Sequence, residues 1–220
     1  TEIYTLSLHD ALPIYCIKDI QMNLKEIIYI RIIAQLLYHW CYFKSLLFIN
    51  KKKKLHVGCG KNKFSGWINA DVVPSSELIV FLQKKLPFRK EALSRIYTEH
   101  VMEHASYEVG LYFMKEAYRV LEIGGVVRLA MPDLDDLIEA YVNDWRRLDW
   151  VNWPESAFIK TKGQMINISF RWWGHRYLYN REDVVRLLEE SGFKEYYFSD
   201  WGESRFDDLS NLETRKDSKL

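Results

Sequence analysis

Four groups of residues have types and spacings that could do chemistry. His100-Val101-Met102-Glu103-His104 brings two imidazoles and a carboxylate together. Neutral imidazole titrates near working pH, so His104 is a candidate general base with Glu103 orienting it. On a helix, His100, Glu103 and His104 would share one face. That arrangement is also able to hold a divalent ion, although the reading adopted assigns no metal. Leu55-His56-Val57-Gly58-Cys59-Gly60 is an apolar run ending in two glycines, the pattern of a buried strand whose terminal turn lets backbone approach a ligand. Asp71 closes a second short apolar run, Gly66 to Asp71. Trp172, Trp173, His175 and Tyr177 form an aromatic group suited to walling a pocket for a sugar or aromatic molecule, with core packing as the competing reading.

These groups need elements to position them, and the pattern from residue 54 onward alternates strand and helix. Further strands are expected at Glu77 to Leu82, Arg95 to Glu99, Val126 to Met131 and Phe193 to Asp200. Tyr107, Leu111, Met114, Tyr118 and Leu121 keep the three-to-four spacing of an amphipathic helix that Gly124-Gly125 is expected to stop. A second helix starts at Pro132-Asp133, and a third has Asn180 as N-cap and Gly192 at its end. Residues 149–178 show no clear period and read as a loop-rich aromatic insertion. Strands alternating with helices imply a parallel α/β sheet with right-handed crossovers.

Composition narrows the function. The chain has 220 residues, a net charge of +1 and 28% charged residues, enough for one well-buried domain and too balanced to imply nucleic acid. Three cysteines without metal or CxxC spacing imply reduced thiols and a cytoplasmic setting. A phosphate loop is excluded because no Gly-Lys-Ser/Thr occurs, and a dinucleotide fingerprint would want a glycine at Lys63. Residues 23–50 are strongly apolar, with Arg31, Gln35 and His39 as a polar stripe. A helix packed on the core, an interfacial helix beside Lys51 to Lys54, and a membrane span all fit that pattern. Peripheral membrane contact through 22–54 is one consequence.

Taken in order, Val57-Gly58-Cys59-Gly60, Asp71, Leu86-Pro87-Phe88 and Glu99 to His104 resemble the class I S-adenosylmethionine-dependent methyltransferases. Glu116-Ala117-Tyr118-Arg119-Val120-Leu121, Met131-Pro132-Asp133-Leu134 and Leu187-Leu188-Glu189-Glu190-Ser191-Gly192-Phe193 add to the likeness, which is nearest the small bacterial "methyltransferase type 11" group and covers residues 53–220. The resemblance implies a Rossmann-like doubly wound, mostly parallel sheet flanked by helices, here missing its last strand. S-adenosylmethionine would be the cofactor, and a small molecule or glycan precursor the methyl acceptor. It further implies that Val57, Gly58, Cys59 and Gly60 hold the methionine part, Asp71 and Val72 the ribose, and Leu82 the adenine. Glu99 and His100 would face the cofactor, and Trp172, Trp173, His175 and Tyr177 the acceptor.

Three departures stand out. Lys61 and Asn62 follow where relatives continue to a third glycine, and about seven residues before the next strand leave room only for a turn. Phe81, Leu82 and Gln83 stand where many relatives carry an adenine-binding acid. The alternative function is therefore a binding or scaffold protein that keeps the fold. Residues 1–14 resemble a translated sequencing adapter. The expected division is thus a non-native or disordered leader (1–21), an apolar helix and lysine run (22–54) and the methyltransferase domain (55–220).

Overall fold

The computed structural model describes residues 53–73 and 75–220, together with Ile33, Leu36, His39, Trp40 and Phe43. The expected leader and most of the 22–54 segment lie outside the described residues. The five isolated positions are helical, and Leu36, Trp40 and Phe43 are exposed, so at those three the helix is not packed on the core. No helix among the described residues is long and apolar enough to cross a membrane.

Strands β1 (Lys54–Val57), β2 (Ile68–Asp71), β3 (Leu78–Ile79), β4 (Leu93–Glu99) and β5 (Leu121–Ala130) form one sheet in the order β3-β2-β1-β4-β5. Every pairing is parallel. The chain first builds outward from β1 through β2 to β3, then returns to add β4 and β5 on the other side. This is a Rossmann-like α/β topology, and β1 and β4 flank its switch point, where ligands bind at the carboxyl ends of the strands.

Alternation along the strands sends side chains to two different covers. Leu55, Val57, Ile68, Ala70, Leu93 and Ile96 face the main core with Phe113, Met114 and Ala117 of helix α1 (Tyr107–Val120) and Val184 and Leu187 of a helix whose bounds are given below. Tyr97, Ala130 and Val126 face the other way, against Trp67, Phe64, Phe206, Leu209 and Leu212. Helix α1 begins where Ser106 accepts a hydrogen bond from the Val109 N–H and ends where Leu121 turns extended. Gly124-Gly125 do not stop it, as the spacing had suggested. They lie inside β5, in a bulged excursion between Leu121, which pairs with Leu93, and Val126, which pairs with Arg95.

Helix α2 (Leu134–Val142) is capped by Asp133, α3 is Lys162–Arg171, and α4 is Arg181–Ser191, capped by Asn180. Helix α3 lies within the expected loop-rich insertion. Its signal is a capping box in which Thr161 and Gln164 bond reciprocally, a pairing that is local and independent of hydrophobic period. The other correction is Phe193–Asp200, which joins no strand. None of its residues is buried, and its aromatics find local partners: Tyr196 donates to Glu189 (3.1 Å), and the Arg181 and Arg205 guanidiniums lie over Phe198 and Tyr197 (4.8 and 4.3 Å). Glu77–Leu82 is likewise a strand only at Leu78–Ile79.

Candidate functional site

A cleft of about 560 Å³ opens at the carboxyl ends of the strands, within the usual range for ligand pockets, roughly 300–1,000 Å³. One part is lined by Val57, Gly58, Cys59, Gly60, Asp71, Val72, Val80 and Leu82, from the ends of β1, β2 and β3. The other part is apolar and aromatic, with Leu137, Leu148, Trp150, Trp153, Trp173 and Leu178. His100, His104 and His175 also line it.

The glycine turn is held by its neighbours. Gly58 and Cys59 N–H groups both donate to the Ala70 carbonyl (2.8 and 3.1 Å). Gly58 has φ +74°, and a Cβ there would lie 2.1 Å from Cγ2 of Val101, so the position excludes any side chain. No helix follows the turn before β2, as the short spacing implied. Asp71 accepts the Gly60 N–H at Oδ2 (2.8 Å) and the Val72 N–H at Oδ1 (2.6 Å). A carboxylate has about four acceptor sites, so about two remain for a ligand's hydroxyls. Burial, reinforced by the Asp71 charge, pushes the Cys59 thiol up to about 11. At pH 8 only about one thiol in a thousand would then be ionised. Peptide-resolved mass spectrometry should find Cys59 alkylated at least ~100-fold more slowly in the native protein than in the unfolded chain.

Beyond β4 the chain turns sharply. His100 sits in the left-handed region at φ 52°, and its Nδ1 lies 2.9 Å from Glu103 Oε1, its Nε2 3.5 Å from Asp217 Oδ1. Burial alone would lower its pKa, but Asp217 and Glu103 together raise it to about 9, so His100 is an imidazolium at neutral pH. Glu103 pairs with His100 rather than orienting His104, whose Nε2 is 4.0 Å from Glu103 Oε1. Burial lowers His104 to about 4, which makes it neutral but a weak base. His56, not anticipated as a site residue, also lines the cleft and stacks on Phe64 at 4.3 Å.

Glu99 lines the cleft, and its carboxylate is taken up by the C-terminal segment. Its carboxylate accepts the Thr214 N–H (2.8 Å), the Thr214 hydroxyl (2.7 Å), the Arg215 N–H (3.0 Å) and the Ser218 hydroxyl (2.8 Å). It lines the cleft as the anchor of the C-terminal segment. That segment is fixed farther back by Arg128, which donates through Nε (2.8 Å) and Nη2 to Glu213, and by Arg95 and Lys54, both paired with Asp208.

Of the four residues expected to wall an acceptor pocket, the structure brings two to the cleft. Trp173 and His175 line the cleft, whereas Trp172 and Tyr177 do not. Trp172 packs edge-on against Phe158 (4.9 Å), and Tyr177 donates to Asp183 (3.0 Å) beside Tyr107 and Tyr179. Trp150 and Trp153, both within the 149–178 insertion, line the cleft as well. Leu86-Pro87-Phe88 is held by the Glu116-to-Arg119 helix turn. Glu116 accepts the Leu86 N–H (2.8 Å), and Arg119 donates to the Leu86 and Phe88 carbonyls (3.1 and 2.9 Å). Two motifs of the sequence thus bind each other.

No family model matches the chain, and no curated protein matches it. Among solved structures, a SAM-dependent methyltransferase from Archaeoglobus fulgidus is similar at 14% identity and TM-score 0.44, covering 76% of this chain and 73% of its own. A "possible exported protein" from Bordetella parapertussis is similar at 12% identity and TM-score 0.44, with 88% and 72% covered.

Proposed function

We propose that the chain carries out S-adenosylmethionine-dependent methyl transfer to a small-molecule or glycan-precursor acceptor. The supporting observation is the cleft at the switch point, where the Gly58–Gly60 turn, the Asp71 carboxylate and the apolar pair Val80 and Leu82 lie in sequence along the ends of β1, β2 and β3. The donors fit the cofactor: backbone without side chains for the methionine part, free carboxylate lone pairs for the ribose hydroxyls, apolar walls for the adenine. When bound, the cofactor supplies an electrophilic methyl group on a sulfonium. The protein's own work is then to align the acceptor and exclude water from it, a task suited to the Trp150, Trp153 and Trp173 side of the cleft.

Phe81-Leu82-Gln83 offers no acid to the adenine, which favours the scaffold alternative to the extent that affinity depends on one. Calorimetric titration of the full chain with S-adenosylmethionine and its demethylated product separates the two readings. Saturable binding, weakened about 10- to 100-fold by Asp71→Ala through loss of charge-assisted hydrogen bonds, is the expected result. The absence of heat with both compounds at millimolar concentration would sink the enzyme reading.

A further inference from the structure

Glu103, His104 and His175 each bring one donor atom into a cluster in which all three lie within 4.8 Å of one another. We propose that this cluster is a binding site for a divalent first-row transition ion of the zinc or ferrous kind, with two imidazoles and one carboxylate as ligands and a remaining position open to the cleft. The proposal does not rest on the methyltransferase reading.

The backbone creates the convergence. Glu103 and His104 lie in the single 3-10 turn Met102–His104, and the Glu103 carbonyl accepts the N–H groups of Arg176 (2.7 Å) and Tyr177 (3.2 Å). Those bonds carry His175 across from a segment more than seventy residues away. The rings of His104 and His175 then meet edge to face at 4.9 Å.

Glu103 gives the cluster its character. It is 0% exposed, and only one of its two carboxylate oxygens, Oε1, has a partner. A buried carboxylate left this way is costly. His100 at 2.9 Å answers the charge on one side, and Oε2 has no ion-pair or hydrogen-bond partner among the described residues. A cation held jointly with the two imidazoles supplies what is missing.

His175 is already set for such a role. Its Nδ1 is 2.6 Å from the Ser169 carbonyl, and a carbonyl can only accept, so Nδ1 carries the proton and the Nε2 lone pair is free. Ligands about 2.1 Å from a tetrahedral ion are about 3.4 Å apart. The donor atoms, all within 4.8 Å of one another, would therefore have to close by at most ~1.4 Å, and His104 Nε2 and Glu103 Oε1, at 4.0 Å, by ~0.6 Å. Two nitrogens and one oxygen suit zinc, iron, cobalt or nickel rather than magnesium or calcium. Three protein ligands at the wall of a cleft is the pattern of a site that also takes an exogenous ligand. Sequence spacing points to His100 as the second imidazole. The fold instead gives His100 to Glu103 and Asp217, and brings His175 into its place.

The test is chelator-stripped full-length protein titrated with Co²⁺ and with Zn²⁺, read by metal content after gel filtration and by cobalt d–d absorption. One retained equivalent with a four- or five-coordinate cobalt spectrum is expected. Glu103→Gln, which keeps the volume, and His175→Ala, at the partly exposed wall, should each weaken retention at least ~10-fold. Circular dichroism shows whether each variant is folded, and His175→Ala alone decides the matter if Glu103→Gln is not. No retained metal in the wild type, or equal retention in a folded His175→Ala variant, overturns the site.

Discussion

Gly58→Ala is expected to destabilise the protein by ~2–5 kcal/mol and to remove ligand binding in the cleft, read by urea unfolding and by titration with S-adenosylmethionine. Two costs combine. An L-residue at φ +74° is disfavoured by about 1–2 kcal/mol. The added Cβ, 2.1 Å from Val101 Cγ2, forces overpacking worth roughly 1–3 kcal/mol more. Val101 is 5% exposed and cannot swing into solvent. The β1 turn and the turn after β4 would have to separate, and both line the cleft. Val101→Ala in the Gly58→Ala background should recover part of the loss, because it deletes the clashing methyl but not the backbone strain. If Gly58→Ala is as stable as the wild type, the close approach of these turns is wrong.

Arg128→Ala should cost about 3–5 kcal/mol, since it leaves Glu213, 8% exposed, as a buried carboxylate without its partner. The stability loss should come with rapid proteolysis between residues 201 and 217 and with weaker ligand binding. The second effect follows because Thr214, Arg215 and Ser218, which satisfy Glu99 in the cleft, belong to the segment that Arg128 holds. Replacing both partners with apolar residues, Arg128→Met with Glu213→Leu, should be far milder than either single loss, because no charge is left buried alone. Equal damage from the double replacement would mean that the pair acts through shape rather than charge.

How much could be read in the sequence followed from how local each signal was. The strand ends at Val57, Asp71 and Glu99 and the Asn180 cap were legible because a strand's period or a cap's spacing is written within a few residues. The Thr161-Gln164 box was equally local, but the tryptophans around it hid it behind an absence of hydrophobic period. What was out of reach depends on contacts between distant segments. The anchoring of Glu99 is invisible in the sequence because its four donors lie 115 to 119 residues downstream. Trp172 and Trp173 are neighbours in sequence, yet only Trp173 lines the cleft, while Trp172 packs on Phe158, fourteen residues back in the chain. His175 reached Glu103 through two backbone hydrogen bonds that no side-chain pattern encodes.

The anchoring of Glu99 by residues 214–218 has a consequence for the order in which the protein becomes competent. Once Ala130 has been synthesised, every strand of the sheet exists and the β1, β2 and β4 turns can form, but the Glu99 carboxylate still faces water. Its donors lie 115 to 119 residues further along the chain. The wall of the cleft at Glu99 is therefore completed only when residues 214–218 have been made, after both covers of the sheet.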